Sequence, residues 1–289
     1  IGKNGGKVTV EDGSIITGDN FKYNKILNIL EADGNVKFEN KIEDIIIFSD
    51  KAIYNKNIEE LITKGNSKAI KIDNTITANA FIYKKNINIL TANKNVKIVD
   101  KLKDVIILSS EVTYDKNKET FFSKGLTESV VENKYNIKSK DVLFSKKISI
   151  LSSNQKTIVK DNKFNQYELE EFNYNISKKI LKGKNIKISS NVEDGKKDYY
   201  FFSDGFFNFK DSSFVSRETK IKLHKDVFDN IEQDPRLYGT SSSGNDDKTV
   251  VNKGVFTSCK QTENCPSWSI ASEKITHDKI KRDMIYENA

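Results

Sequence analysis

The chain has 289 residues, enough for a large core, and its 36% apolar and 31% charged residues call for a mostly polar surface. No run of about 18 apolar residues occurs, which excludes a transmembrane helix within the sequence. The net charge of +7 comes from 48 basic residues scattered among 41 acidic ones, without the basic cluster or recognition motif of a nucleic-acid binder, so no nucleic-acid partner is expected.

The sequence opens Ile1-Gly2-Lys3, with neither Met nor the segments of a signal peptide, and is expected to be cut from a longer precursor. An aromatic marker then recurs: Tyr23, Tyr54, Tyr83, Tyr114, Phe144 and Tyr174 are spaced by 31, 29, 31, 30 and 30 residues. Two positions before each marker the residue is apolar (Phe21, Ala52, Phe81, Val112, Val142, Phe172). Seven after, it is again apolar (Leu30, Leu61, Leu90, Phe121, Leu151, Leu181). Nine after, it is small (Ala32, Thr63, Ala92, Ser123, Ser153, Gly183), whereas five after it is always polar (Asn28, Glu59, Asn88, Glu119, Ser149, Lys179).

Alternate side chains of a strand share a face, so marker and predecessor point one way, and the residues seven and nine later do likewise on a returning strand. The polar stretch between them supplies a turn. Gly34-Asn35 and Gly65-Asn66 read as a second turn that starts the next strand, and runs such as Ile45-Ile46-Ile47-Phe48 lead to the next marker. Even spacing, β-branched residues and only two prolines argue against helix. The expectation is an all-β protein, an extended jellyroll of stacked antiparallel hairpins in units of about 30 residues, each burying its apolar face against its neighbours.

Past residue 190 the pattern loosens into an aromatic stretch, Tyr199-Tyr200-Phe201-Phe202 and Phe206-Phe207-Asn208-Phe209. Residues 239–247, rich in Ser and Gly, read as a flexible loop. A degenerate unit follows, with His277 at the marker place, Ile275 two before it and Met284 seven after it. His277 is therefore expected to replace a packed aromatic rather than to perform chemistry. The only cysteines, Cys259 and Cys265, are too few for a disulfide scaffold. They could close a small loop, reach partners outside the sequence, or bind metal, the last weakest because His224 and His277 make no ligand spacing with them. No nucleophile elbow and no Gly-rich phosphate loop is present, and the acidic residues do not cluster; no enzyme activity, metal or cofactor is expected.

The units from Gly18 to Val36 and from Ser109 to Gly125 resemble the OstA-like β-jellyroll of lipopolysaccharide transport proteins, and this likeness covers most of residues 1–230. The C-terminal part is more specific. Gly254-Val255-Phe256-Thr257-Ser258-Cys259, then Cys265-Pro266-Ser267-Trp268-Ser269-Ile270-Ala271, then Ile285-Tyr286-Glu287-Asn288-Ala289, is similar to the end of the periplasmic domain in the LptD family of lipopolysaccharide-assembly proteins, as are Arg236-Leu237-Tyr238-Gly239 and Thr249-Val250-Val251.

The resemblance implies residues 1–250 as the repeat jellyroll and 251–289 as its last strands and the junction to a C-terminal outer-membrane barrel. It implies a cell outer membrane location, with this segment facing the periplasm. The implied partners are lipopolysaccharide, the periplasmic bridge protein LptA docking by strand addition on the N-terminal edge, and the plug lipoprotein LptE acting through the barrel. Lipid A acyl chains would lie in a groove lined by Phe21, Tyr23, Leu30, Tyr54, Leu61, Phe81, Tyr83, Leu90, Val112, Tyr114, Phe121, Phe144, Leu151, Phe172, Tyr174 and Leu181. Plain core packing is the competing role for the same stripe. Family members tie this domain to the barrel by disulfides, which makes Cys259 the best candidate; Cys265 departs from the simplest family pattern and pairs either with Cys259 or with a second barrel cysteine. A soluble bridge protein of the same fold, or a β-solenoid polysaccharide enzyme or adhesin, are the alternative readings.

Overall fold

The computed structural model describes residues 5–10, 13–42, 44–190, 195–228, 231–260 and 266–289. Strands make up 68% of the chain. The described residues form 24 strands and two short 3-10 helices, and the described pairings are antiparallel, as the all-β reading requires. The chain divides into two compact units, one of Ile1–Asn133 with Lys140–Ser149, the other of Lys134–Ser139 with Ile150–Ala289.

The recurring offsets are cross-strand partners. Tyr23 faces Leu30 and Phe21 faces Ala32. Tyr54 faces Leu61 and Ala52 faces Thr63. The same register holds for Tyr83 with Leu90 and Phe81 with Ala92, and for Tyr174 with Leu181 and Phe172 with Gly183. The degenerate unit obeys it too, with His277 opposite Met284 and Ile275 opposite Tyr286.

The polar residue five after each marker is where the hairpin turns left-handed: φ is 55° at Asn28, 49° at Glu59, 58° at Asn88, 52° at Glu119, 56° at Ser149 and 58° at Lys179. Bulky apolar residues resist that conformation, which explains why the position stays polar. The residue after the marker braces the turn: Asn24 Oδ1 accepts the N–H groups of Ile26 and Leu27 at 3.0 and 3.1 Å, and Asp115 and Asn175 accept those of Lys118 and Lys178.

The second expected turn holds at Gly65-Asn66, which separates the strands Glu60–Lys64 and Ser67–Lys71, and is corrected at Gly34-Asn35. Strand Ile29–Asn40 does not stop at Gly34-Asn35; these two residues form a β-bulge, with Asp33 opposite Lys51 and Val36 opposite Ser49, so that only Asp50 stands across from them. Gly34 and Gly65 both have φ of 78°, and a Cβ on either would collide with the carboxylate of Asp19 or Asp50. Each carboxylate accepts a hydrogen bond from the asparagine that follows the glycine, Asn35 to Asp19 at 2.8 Å and Asn66 to Asp50 at 2.9 Å. Asn95 donates likewise to Asn79 at 3.2 Å. Register shifts recur at this level in the first unit, between Asp33 and Val36, Asn93 and Val96, and Ser109 and Glu111, and bulges of this kind bend a strand.

Bending sets the two halves of the strands in the first unit face to face. Phe38, on the half after the bulge, meets Tyr83, on the half before it, with ring centroids 6.4 Å apart and edge to face. The interior is lined from one side by marker pairs and from the other by Val36, Phe38, Ile47, Ile98 and Ile107, all buried. Full burial of such side chains contributes about 1.5 to 3 kcal/mol each before conformational entropy is counted.

The second unit continues the scheme with larger rings and less regular strands. Residues 239–247 are also corrected: Arg236–Gly244 is a strand, and the turn is confined to Asn245–Asp247. Its small polar residues are there to let strands approach. Ser242 is buried and bonds the hydroxyls of Ser216 at 2.7 Å and Thr219 at 2.9 Å, and a Cβ on Gly239 would meet the Asn252 carbonyl at 2.8 Å.

Candidate functional site

Of the sixteen residues expected to line a groove, Leu30, Tyr54, Leu61, Phe81, Tyr83, Leu90, Val112, Phe121 and Phe144 are buried in the first unit, and Leu151, Phe172, Tyr174 and Leu181 in the second. Phe21 and Tyr114 are half-buried, and Tyr23 is 48% exposed. Tyr23 lies on the strand Asn20–Asn24, which pairs among the described residues only with Ile29–Asn40.

In the first unit the two facing halves leave a narrow apolar cleft. Ile45, Ile47 and Ile76 form one wall; Tyr83, Leu90 and Phe121 form the other. The space between them is about 30 Å³. That is room for a water and not for an alkyl chain. Tyr114 stacks on Phe121 at 4.4 Å near the mouth. Burial, reinforced by Glu119, Asp73 and Asp115, pushes its phenol up to about 12.

An ion cluster ties the turn edges of the two halves beside this cleft. Lys146 Nζ lies 2.9 and 2.7 Å from the Asp73 carboxylate oxygens and 3.7 Å from Asp100 Oδ2. The Asp100 side chain is wholly buried, and those of Asp73 and Lys146 are nearly so.

The second unit holds a different cleft, of about 400 Å³. Its floor and walls are rings: Tyr135 stacks on Phe209 at 4.7 Å, Tyr167 meets Phe207 at 5.6 Å, and Phe214 lies 5.8 Å from Phe202 and 6.0 Å from Phe207. Its mouth is charged. Lys163, on the turn after Thr157–Lys160, bonds Asp246, on the turn after Arg236–Gly244, at 2.7 Å. Asp198 and Lys279 line the same cleft, and burial raises the Asp198 carboxyl against the hydrogen bond it receives from the His224 N–H.

None of the sixteen expected residues lines this second cleft. The aromatic runs at Tyr199–Phe202 and Phe206–Phe209 were its signal in the sequence; the charged groups come from turns that no local pattern connects. In the first unit the inward residues beyond each bulge were also missed. Val36 and Phe38, then Val96 and Ile98, stand thirteen and fifteen after their markers, but the repeats of Tyr54 and Tyr114 place Ser67 and Ala69, and Thr127 and Ser129, at the same buried offsets, so no apolar period marks them.

Cys259 carries a free thiol, half-buried, 3.2 Å from Ser267 Oγ and 3.5 Å from the Trp268 carbonyl oxygen. Hydrogen bonds from Ser267 and Thr257 lower it to about 7, so a large share is thiolate at neutral pH. Cys265 lies outside the described residues. His277 is buried against Phe228, with ring centroids 6.4 Å apart. Burial, with Lys279 nearby, lowers it to about 4. Among the described residues no group of three or more His, Cys, Asp or Glu could hold a metal ion. Comparison of the chain with protein-family models and with curated protein sequences finds no match.

Proposed function

We propose that this chain is the periplasmic part of an outer-membrane lipopolysaccharide-assembly apparatus of the LptD type, a non-enzymatic module that takes the acyl chains of lipid A between its facing strand halves and hands them on to a barrel. The observation that carries the reading is the apolar interior of the first unit, built from regularly repeated inward pairs, with the turn residues Asn88 and Lys116 among those lining its cleft. Removing acyl methylenes from water into such an interior yields about 0.8 kcal/mol per methylene. The sugars and phosphates would stay outside the turns.

Entry of a chain requires the first cleft to widen, because its resting volume admits none. The Lys146 cluster sets the cost of that widening. Among the described residues, Asn20–Asn24 and Gly6–Thr9 each pair on one side, and the other side would offer backbone groups for strand addition by LptA. The lowered thiol of Cys259 suits disulfide exchange with a barrel cysteine, and LptE would join through that barrel.

The test places a photo-crosslinking residue at Leu61 or Leu90 in the full-length protein in cells. Capture of lipopolysaccharide at both, and its loss when lipid supply is blocked, is the expected result. A folded protein that never captures the lipid at either site would overturn the reading.

A further inference from the structure

The hairpin turns of the first unit break a rule that turns usually keep. Turn tips are well solvated and normally carry Gly, Asn, Asp or Ser. Four of the five marker turns here present large aliphatic side chains instead: Ile26 and Leu27, Ile58, Ile87 and Ile148, from 50% exposed at Ile87 to 92% at Ile26. The hairpin itself does not need them. The place four after the marker, which holds Leu27, Ile58, Ile87 and Ile148, takes Lys118 in the remaining turn and Lys178 in the second unit.

A second residue type recurs beside the tips. Two after each marker of the first unit stands a lysine: Lys25, Lys56, Lys85, Lys116 and Lys146. The five turns, 24–28, 55–59, 84–88, 115–119 and 145–149, hold eight lysines against three carboxylates, Glu59, Asp115 and Glu119. Asp115 already pairs with Lys118 at 3.1 Å. With Asp73 and Asp100, which hold Lys146, the count is eight against five, still positive. The turns at 40–44, 71–74 and 100–104 also expose Ile42, Ile72 and Leu102, but there four lysines meet five carboxylates. Those turns lack the basic excess.

The marker turns are locked into one row. The N–H groups of Lys56, Lys85 and Lys146 donate to the carbonyls of Asn28, Glu59 and Glu119, each at 3.0 Å, and that of Lys116 to Asn88 at 3.1 Å. Asn57 accepts the Asn28 amide at 2.9 Å and donates to the Leu27 carbonyl at 3.3 Å. Tips held at fixed spacing lose little freedom on contact with a surface.

The pairing of lysine with aliphatic tips selects the kind of surface. Protein interfaces deplete lysine from their cores, since a strongly hydrated ammonium is costly to strip of water. A bilayer accepts both at once: aliphatic groups enter between the headgroups while ammoniums stay at the level of the phosphates. We propose that the marker-turn row of the first unit docks on an anionic phospholipid bilayer, with Ile26, Leu27, Ile58, Ile87 and Ile148 entering the headgroup layer and the lysines of the same turns meeting its phosphates. The row lies on the outside of the unit, and its docking stands whether or not the interior takes lipopolysaccharide.

Co-sedimentation of the full chain with lipid vesicles tests it. Vesicles of equal parts phosphatidylcholine and phosphatidylglycerol should be bound about tenfold or more tighter than phosphatidylcholine alone, and added salt should narrow the gap. Ile58→Ser combined with Ile87→Ser should weaken binding to the anionic vesicles about tenfold or more, with the melting temperature unchanged because both sites are exposed. Lys25→Gln, Lys84→Gln and Lys147→Gln together should remove most of the preference for anionic lipid. Inorganic phosphate should release the chain no more than sodium chloride does at the same ionic strength.

A folded chain that ignores anionic vesicles would overturn the proposal and leave the row to a protein partner. Equal binding to both kinds of vesicle, undiminished binding by the double isoleucine variant, or specific release by phosphate would overturn it too. Ile72→Asn, in the turns without basic excess, should bind as the parent chain does; a loss there as large as that of the double variant would rule out the assignment to this row.

Discussion

The two units are built by one rule and differ in how strictly they keep it. In the first, marker pairs such as Tyr54 with Leu61 and Tyr83 with Leu90 recur with little variation, an asparagine amide bonds Asp19, Asp50 or Asn79 in three successive repeats, and the halves close on about 30 Å³. In the second, the marker places hold Tyr174 and His277, rings crowd both halves, and about 400 Å³ stays open. Regular side-chain volumes interdigitate and leave little space, whereas large planar rings meeting at tilted angles leave gaps. Loss of repeat fidelity is thus what creates the roomier cleft.

Four tests break or sharpen this contrast. The largest effect is expected at Phe81, which is wholly buried in the first unit. Phe81→Ala should cost about 3 to 5 kcal/mol, while Phe209→Ala, at the wall of the open cleft, should cost much less. The single tryptophan, Trp268, belongs to the second unit, so its fluorescence follows that unit while far-UV circular dichroism follows both. In urea, Phe81→Ala should shift the dichroism transition and leave the tryptophan transition in place. Equal shifts would mean that the units unfold as one.

Next is the ion cluster of the first unit. Lys146→Met leaves Asp73 and Asp100 facing each other without their cation and should destabilise by about 3 kcal/mol. Adding Asp73→Asn should recover part of the loss. A double variant no more stable than the single one would remove the cluster from the account.

The third concerns pH, and only the second unit contains histidine. His277 is lowered from 6.5 to about 4 by burial, so the unfolded chain binds the proton more readily. Its contribution to stability is complete above pH 6.5 and is lost as pH falls toward 4, roughly 3 kcal/mol over the window. His277→Phe should flatten the tryptophan-detected stability between pH 6.5 and 4. An unchanged slope would show that other groups drive it.

The smallest effect is a gain. Ile72, exposed in the two-residue turn between Ser67–Lys71 and Asn74–Ala78, has φ of 45°, a conformation that β-branched residues resist. Ile72→Asn should raise stability by about 1 kcal/mol, seen as a higher melting temperature. A lower one would mean that Ile72 makes contacts worth more than its strain.

The sequence made the hairpins legible because cross-strand partners across a short turn sit at fixed sequence offsets, and Tyr54 with Leu61 is such a pair. It hid the strand halves beyond the bulge for a physical reason. Gly34 and Asn35 oppose Asp50 alone, so on the partner strand the inward set changes parity, from Ile45, Ile47 and Ser49 to Ala52 and Tyr54. A run such as Ile45-Ile46-Ile47-Phe48 therefore looks uniform although only its odd members face inward. Ser242 was misread because a buried hydroxyl that satisfies two neighbours resembles a loop serine until its partners are known. The second cleft was out of reach because Lys163, Asp246 and Lys279 meet only after folding.

The central claim is that inward positions receive lipid and outward ones do not. Nitroxide labels at Leu90, inward at the first cleft, and at Ile82, outward on the adjacent strand, test it in the purified chain by paramagnetic resonance. Addition of lipopolysaccharide should immobilise the label at 90 and leave that at 82 unchanged. Equal responses at both sites, or none at 90 in a folded protein, would contradict the account.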